Sequence, residues 1–179
     1  MPFSFEPTAL PGVVLVAPVV YGDHRGFFME TYKRSDFAAA GIDVHFVQEN
    51  HSRSVQGTLR GLHLQREPKA QAKLVRVLEG EIFDVAADIR PGSPTYGQWV
   101  STVLSSENRR SIFIPAGYAH GFCVITPEAQ VIYKTSGEYA PELEWGVRWD
   151  DPLLAIPWPV EAPRLSERDR RWPHLTAPR

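Results

Sequence analysis

His63 stands in the stretch GTLRGLHLQ (57–65), flanked by Leu62 and Leu64 and three residues after Arg60. An imidazole titrates near neutrality, so it can take up and return a proton where most side chains cannot. The plain alternative is a core histidine whose ring nitrogens are satisfied by backbone groups. Strict strand alternation places His63 with Leu59, Gly61 and Gln65 and sends Arg60 to the other face. Both reach one pocket only if the strand kinks or bulges between them, and Gly61 is the place for that. A second proton-active group is Tyr133 in VIYKT, which shares an alternating face with Val131 and Thr135. Core packing is its plain alternative. Cys123 does not join them, because within the apolar run HGFCVI a buried, inert thiol is expected.

The elements that must position these groups read as short strands. FFMETY, VHFVQEN, QAKLVRVL, EIFDVAADI, YGQWVSTVL, RSIFIP, GFCVIT and EAQVIYKT are rich in β-branched, aromatic and alternating residues. Turn signals separate them: Gly80, RPGSP (90–94), SSEN (105–108), PAG (115–117) and TPE (126–128). Such spacing predicts an antiparallel sandwich or barrel. One short helix is expected at SDFAAAG (35–41), with Ser35 as N-cap and Gly41 as the stop. Beyond residue 150 the chain carries five prolines in 26 residues, which predicts a segment wrapping over the body with one helical turn at SERDRR.

At 179 residues, with 43% hydrophobic and 22% charged residues, the chain is expected to form one soluble domain spanning 1–179. Nineteen Lys and Arg against 21 Asp and Glu leave a net charge of −2, which argues against nucleic acid or an anionic membrane as partner. A single cysteine excludes an intrachain disulfide and suits a reducing compartment. The run VVLVAPVV (13–20) has no basic segment before it and is too short to cross a bilayer as a helix. A cytoplasmic protein is expected.

Two motifs resemble those of the cupins, small jelly rolls whose first motif, G-x5-H-x-H followed by a glutamate and a second glycine, and second motif, P-x-G-x2-H, supply metal ligands. Here Gly57 leads to His63 and Gln65, Lys73 precedes Gly80 at the glutamate position, and PAGYAH (115–120) ends in His120. Gln65 is a poor ligand and Lys73 is a cation. His63 and His120 alone are too few for a borderline divalent metal, so no catalytic metal is expected. A lysine in a metal's place can stabilise negative charge developing on a carbonyl oxygen. Proton abstraction beside that carbonyl needs a base, for which His63 is suited, and inversion needs an acid on the opposite face, for which a tyrosine is the candidate.

A closer resemblance is carried by DHRGFFMETY, FVQENHSRS, GTLRGLHLQ, QAKLVRVLEGEIFDVAADIRPGSPTYGQW, IPAGYAHGF, VIYKTSGEYAPELEWGVRWDDP and LSERD, in that order across most of the chain. Together they resemble the dTDP-4-dehydrorhamnose 3,5-epimerase family. The resemblance implies an all-β cupin jelly roll that uses no cofactor. It implies His63 as general base, Asp169 as the carboxylate that orients it, Tyr133 as acid, and Lys73 and Arg60 as cations near the keto oxygen and sugar, with Arg60 also able to pair with phosphate. Gln48, Asn50, His120, Glu144 and Arg168 match binding positions for the nucleotide, and Tyr139 matches a ring that stacks on thymine. Arg25, Phe28 and Glu30 match a group reaching the neighbouring site across a homodimer. Leu64 and Trp145 depart from the family's usual residues and could adjust the pocket.

Each of these has an ordinary alternative: a turn arginine for Arg25, a structural histidine for His120, a solvated charge run for Arg168 and Asp169, and a solvent-facing residue among Glu142 and Glu144. The implied reaction is epimerisation of dTDP-4-dehydro-6-deoxy-D-glucose at C3 and C5. Relatives that invert a single centre share the base and acid, so a mono-epimerase stays open. A metal-dependent oxygenase using His63 and His120, and a non-catalytic nucleotide-sugar binder, are more distant readings.

Overall fold

The computed structural model describes residues 2–176. Its strands are β1 (Phe3–Pro7), β2 (Val14–Pro18), β3 (Tyr21–Asp23), β4 (Gly26–Phe28), β5 (Gln48–Val55), β6 (Leu59–Gln65), β7 (Lys73–Glu79), β8 (Glu81–Asp88), β9 (Trp99–Ser105), β10 (Ser111–Ile114), β11 (Tyr118–Val124), β12 (Glu128–Thr135) and β13 (Glu144–Gly146), with helix α1 at Arg34–Ala39. They form a six-stranded sheet, β1-β2-β10-β7-β12-β5, a five-stranded sheet, β13-β6-β11-β8-β9, and a separate β3-β4 hairpin. Every pairing between these strands is antiparallel. This is the expected all-β jelly roll. No helix among the described residues is long and apolar enough to cross a membrane.

Period-two alternation explains where the core sits. Val75 and Val77 of β7, Ala129 and Val131 of β12, Ile82 and Ala86 of β8, and Phe122 and Val124 of β11 meet in one buried cluster between the sheets. Each such aliphatic side chain contributes about 1.5–3 kcal/mol on burial. On the same inward faces, nearer one end of the sandwich, the residues are Lys73, Asp84, His120, Tyr133 and Thr135. The outer face of the five-stranded sheet is closed by the C-terminal wrap, whose Val147, Leu154 and Ile156 pack with Leu62, Val85 and Ala119. Buried Asp151 shapes that wrap by accepting from the backbone N–H groups of Leu153, Leu154 and Leu175.

Three expectations need correction. FFMETY (27–32) is strand only as far as Phe28, because Tyr32 turns inward onto Phe37 and Phe46, with ring centroids 4.9 and 5.3 Å apart. VHFVQEN begins its strand at Gln48, since Val44 and Phe46 join the same aromatic cluster under α1 rather than a ladder. Ser35 is not the N-cap. The Lys33 carbonyl accepts from both Asp36 and Phe37, so Lys33 caps the helix and Ser35 lies inside its first turn. Strands β1, β2, β3 and β13 are additions to the expected set, the apolar run after residue 13 serving as a sheet strand.

Candidate active site

A cavity of about 590 Å³ opens at the polar end of the sandwich, within the ~300–1,000 Å³ typical of small-molecule sites. His63 and His120 line it from the five-stranded sheet, and Lys73, Tyr133, Gln48 and Asn50 from the six-stranded sheet. Arg60 lines it as well, although simple alternation would turn it away from His63. The pairing of β6 with β11 explains this. His120 is opposite His63 and Phe122 opposite Arg60, so the register shifts at Gly61 and Leu62. The bulge expected at Gly61 returns both side chains to one cavity, where Arg60 Nε donates to Ser54 Oγ at 3.0 Å.

The carboxylate for His63 arrives from the C-terminal wrap. Backbone bonds from Arg164 N to Gly57 O and from Leu59 N to Arg164 O dock that segment beside β6. The expected turn at SERDRR follows, with Arg170 N donating to Ser166 O and Asp169 N to Ser166 Oγ. It delivers Asp169, 3% exposed, to within 2.5 Å of His63 Nε2. A carboxylate only accepts, so Nε2 carries the proton and Nδ1 is the nitrogen left with a lone pair. Burial pushes the Asp169 carboxyl up, but the His63 hydrogen bond and charge outweigh it and hold the group below its ordinary range.

Lys73 is half-buried, and its Nζ donates to the His63 main-chain oxygen at 3.4 Å. Burial lowers its ammonium to about 8, against the opposing pull of Asp84 and Glu144. Burial raises the Tyr133 phenol, with the nearby Arg60 charge working the other way, so this hydroxyl keeps its proton at neutral pH.

At the rim, Tyr139 is half exposed and its hydroxyl donates to Glu144 Oε2 at 2.8 Å. Arg168 pairs with the same Glu144 carboxylate, while Glu142 faces solvent. Gln48 bridges the rim, its amide donating to Asn50 Oδ1 and accepting from Tyr139 N, both at 2.9 Å. Leu64 and Trp145 face each other across β6 and β13, and Arg66 lies 4.6 Å above the Trp145 ring.

Arg25, Phe28 and Glu30 do not line the cavity of their own chain. Arg25 closes the β3-β4 turn by pairing with Asp23 at 2.6 Å, and Phe28 is 66% exposed. Sequence reasoning missed Asp84. Fully buried on the inward face of β8, it accepts from His120 Nε2 at 2.8 Å, and its other oxygen has no partner among the described residues. A carboxylate alternating with Ile82 and Ala86 was the available signal.

The donors at the cupin ligand positions do not fit a metal. The Gln65 amide is saturated by backbone groups, donating to Lys69 O and Glu138 O and accepting from Ala140 N. His120 Nε2 is held by Asp84, and an ammonium occupies the glutamate position. Among the described residues, no three His, Cys, Asp or Glu side chains converge on one point.

Comparison with known proteins bears on this arrangement directly. Residues 7–177 match the profile of the dTDP-4-dehydrorhamnose 3,5-epimerase family. The chain belongs to that family. A member from Pseudomonas aeruginosa is 55% identical over 165 residues, covering 91% of each chain. Another from Methanothermobacter thermautotrophicus is 52% identical, covering 97% of this chain and 95% of its own. A dTDP-6-deoxy-D-glucose-3,5-epimerase from Legionella pneumophila, solved in complex with dTDP-4-keto-L-rhamnose, superposes with a TM-score of 0.93 at 46% identity, covering 96% of this chain and 92% of its own. The protein is therefore an isomerase of the epimerase class.

Proposed function

We propose that this epimerase converts dTDP-4-dehydro-6-deoxy-D-glucose to dTDP-4-dehydro-β-L-rhamnose, inverting both C3 and C5, with residues 1–179 acting as one catalytic domain. One observation carries the reading: a carboxylate-held imidazole on one sheet faces a half-buried phenol and an ammonium on the other, across a cavity that both sheets line. Facing sheets lie about 10 Å apart, so a sugar ring between them meets the base on one side and the acid on the other. Inversion requires that geometry.

A 4-keto group acidifies the C–H bonds at C3 and C5, because the electron pair left behind delocalises onto oxygen as an enolate. His63 Nδ1 takes the proton, and Asp169 stabilises the imidazolium so formed. Lys73, with Arg60 beside the sugar, stabilises the enolate oxygen. Tyr133 then gives a proton to the opposite face of the same carbon and is reprotonated from solvent as His63 releases its own. The step is redox-neutral, which is why no cofactor is required. For the nucleotide, Tyr139 offers a flat rim surface for thymine, and Gln48, Asn50, His120, Glu144 and Arg168 offer hydrogen bonds and charge around it. The exposed hairpin, with Arg25, Phe28 and Glu30 outside their own cavity, supports a homodimer in which each subunit completes its neighbour's site.

The decisive test is incubation with the 4-keto sugar nucleotide in D₂O, followed by mass spectrometry and NMR. Deuterium at both C3 and C5 is expected. Label at one carbon makes the protein a mono-epimerase, and no label removes the mechanism.

Lys73 adds a pH signature. It must be charged to stabilise the enolate, so kcat/KM is expected to fall as pH rises through about 8. Its contribution to stability runs the other way. Between about 8 and the ordinary 10.5 the unfolded chain binds more protons than the folded one, so this lysine favours folding increasingly as pH rises. Activity that falls above pH 8 while the melting temperature holds separates titration of Lys73 from unfolding. A flat alkaline limb would remove Lys73 from the reaction.

A further inference from the structure

The turn that supplies Asp169 also brings a second side chain against His63. Trp172 follows three residues later, a spacing that puts both on one side of a helical turn. Its indole meets the imidazole at a tilt of 65°, with ring centroids 6.1 Å apart. The space it occupies is made by a glycine. In the β13-β6 ladder Gly146 stands directly opposite His63, and side chains at opposed positions project from the same face. A Cβ built on Gly146 would lie 2.6 Å from the Leu62 main-chain oxygen, 2.7 Å from Trp172 Cε2 and 2.8 Å from Nε1, so the indole and that carbonyl together fill the place that a side chain at 146 would take. The buried indole N–H has no hydrogen-bond partner among the described residues. Burying such a donor is unfavourable, so no hydrogen bond holds the ring there and packing against the imidazole and the glycine must.

We propose that Trp172 is a positioning residue for the epimerisation, fixing the plane of the His63 ring so that Nδ1 keeps its aim while Asp169 holds Nε2. A single hydrogen bond leaves the imidazole free to pivot about the Nε2–Asp169 axis. An aromatic ring packed edge-to-face against the imidazole removes that freedom. The inference rests on His63 being the base.

The test compares wild type with Trp172→Ala, Trp172→Phe and His63→Ala. Trp172→Ala is expected to lower kcat by about 10–100-fold, the range that a misplacement of about 1 Å imposes on a reacting group. KM is expected to stay close to wild type, since the nucleotide contacts lie at the rim. Trp172→Phe, which keeps a flat ring and drops the unpartnered N–H, is expected to restore most of the rate. A readout that needs no destabilised variant is the wild-type fluorescence minus that of Trp172→Phe. Protonated imidazole quenches indole emission, so this difference is expected to titrate with His63 and to lose its titration in His63→Ala. Wild-type kcat in Trp172→Ala together with a difference emission that ignores pH would overturn the inference alone. Full activity in His63→Ala would overturn the base assignment and the inference with it.

Discussion

His63→Ala is expected to lose turnover by a factor of about 10²–10⁴, the usual contribution of a positioned acid or base, while still binding the nucleotide. The loss belongs in kcat because His63 turns a lone pair at Nδ1 to the reaction while Asp169 holds its Nε2. His120 is the nearest rival, its Nε2 likewise donating to a buried carboxylate, Asp84, but its side chain is 8% exposed against 20% for His63, so it offers the sugar less access. Binding should survive because Gln48, Tyr139 and Glu144 are tied to one another at the rim, without reference to the imidazole. Isothermal titration with dTDP beside single-turnover kinetics checks both halves, and near-normal turnover in the purified variant would sink the mechanism. The same variant tests the dimer. Mixing His63→Ala subunits with Arg25→Ala subunits regenerates one complete site per mixed dimer if Arg25 acts on its neighbour. If Arg25 acts within its own chain, every site in the mixture stays defective.

Why some of this site was legible in the sequence and some was not follows from where each residue gets its partners. Tyr133 sits on a strand where buried Ala129, Val131 and Thr135 share its face, so that face could be read directly, and the structure keeps it. The helix stop at Gly41 and the turn at SERDRR are local and were equally readable. Asp84 was not, because its meaning depends on His120, 36 residues away on a neighbouring strand. Within its own strand it is one carboxylate among apolar residues. Asp169 and Trp172 lie in a proline-rich tail that has no period to read. Family resemblance pointed to the first, and nothing in the sequence pointed to the second. Val44, Phe46 and Tyr32 look like strand residues because aromatic and β-branched side chains favour strands. A cluster around Phe37 claims them instead, and tertiary packing overrides propensity there. Within one chain Arg25 pairs with Asp23 of its own turn and Phe28 stays exposed, so neither the sequence nor the single chain brings them to a site.

Gly61→Ala is expected to produce the second large effect, and for a reason that joins stability to chemistry. Gly61 has φ +134°, a region L side chains rarely adopt, and a Cβ there would lie 2.4 Å from Gly121 Cα and 2.9 Å from His120 O. Both obstacles are backbone, so no side chain can swing aside, and β6 or β11 has to move. Overpacking costs about 1–3 kcal/mol and a strained backbone position a similar ~1–3 kcal/mol. Together they remove a large share of the ~5–15 kcal/mol that holds a typical domain together. At roughly 2–4 °C per kcal/mol for a chain of this size, a melting temperature lower by about 5–20 °C is expected. Gly92→Ala is the control, because its φ of +78° carries backbone strain while nothing lies within 4 Å of a built Cβ. It should lose only the smaller part. Activity separates the two further. The register shift at Gly61 lets Arg60 and His63 enter one cavity, and β11 carries His120, so relieving the clash in either strand disturbs the catalytic wall. Measured at a temperature where both variants are folded, Gly61→Ala should have lost kcat and Gly92→Ala should not. Equal melting temperatures and equal rates for the two would mean that the bulge does not depend on the glycine, and the meeting of Arg60 with His63 would need another cause.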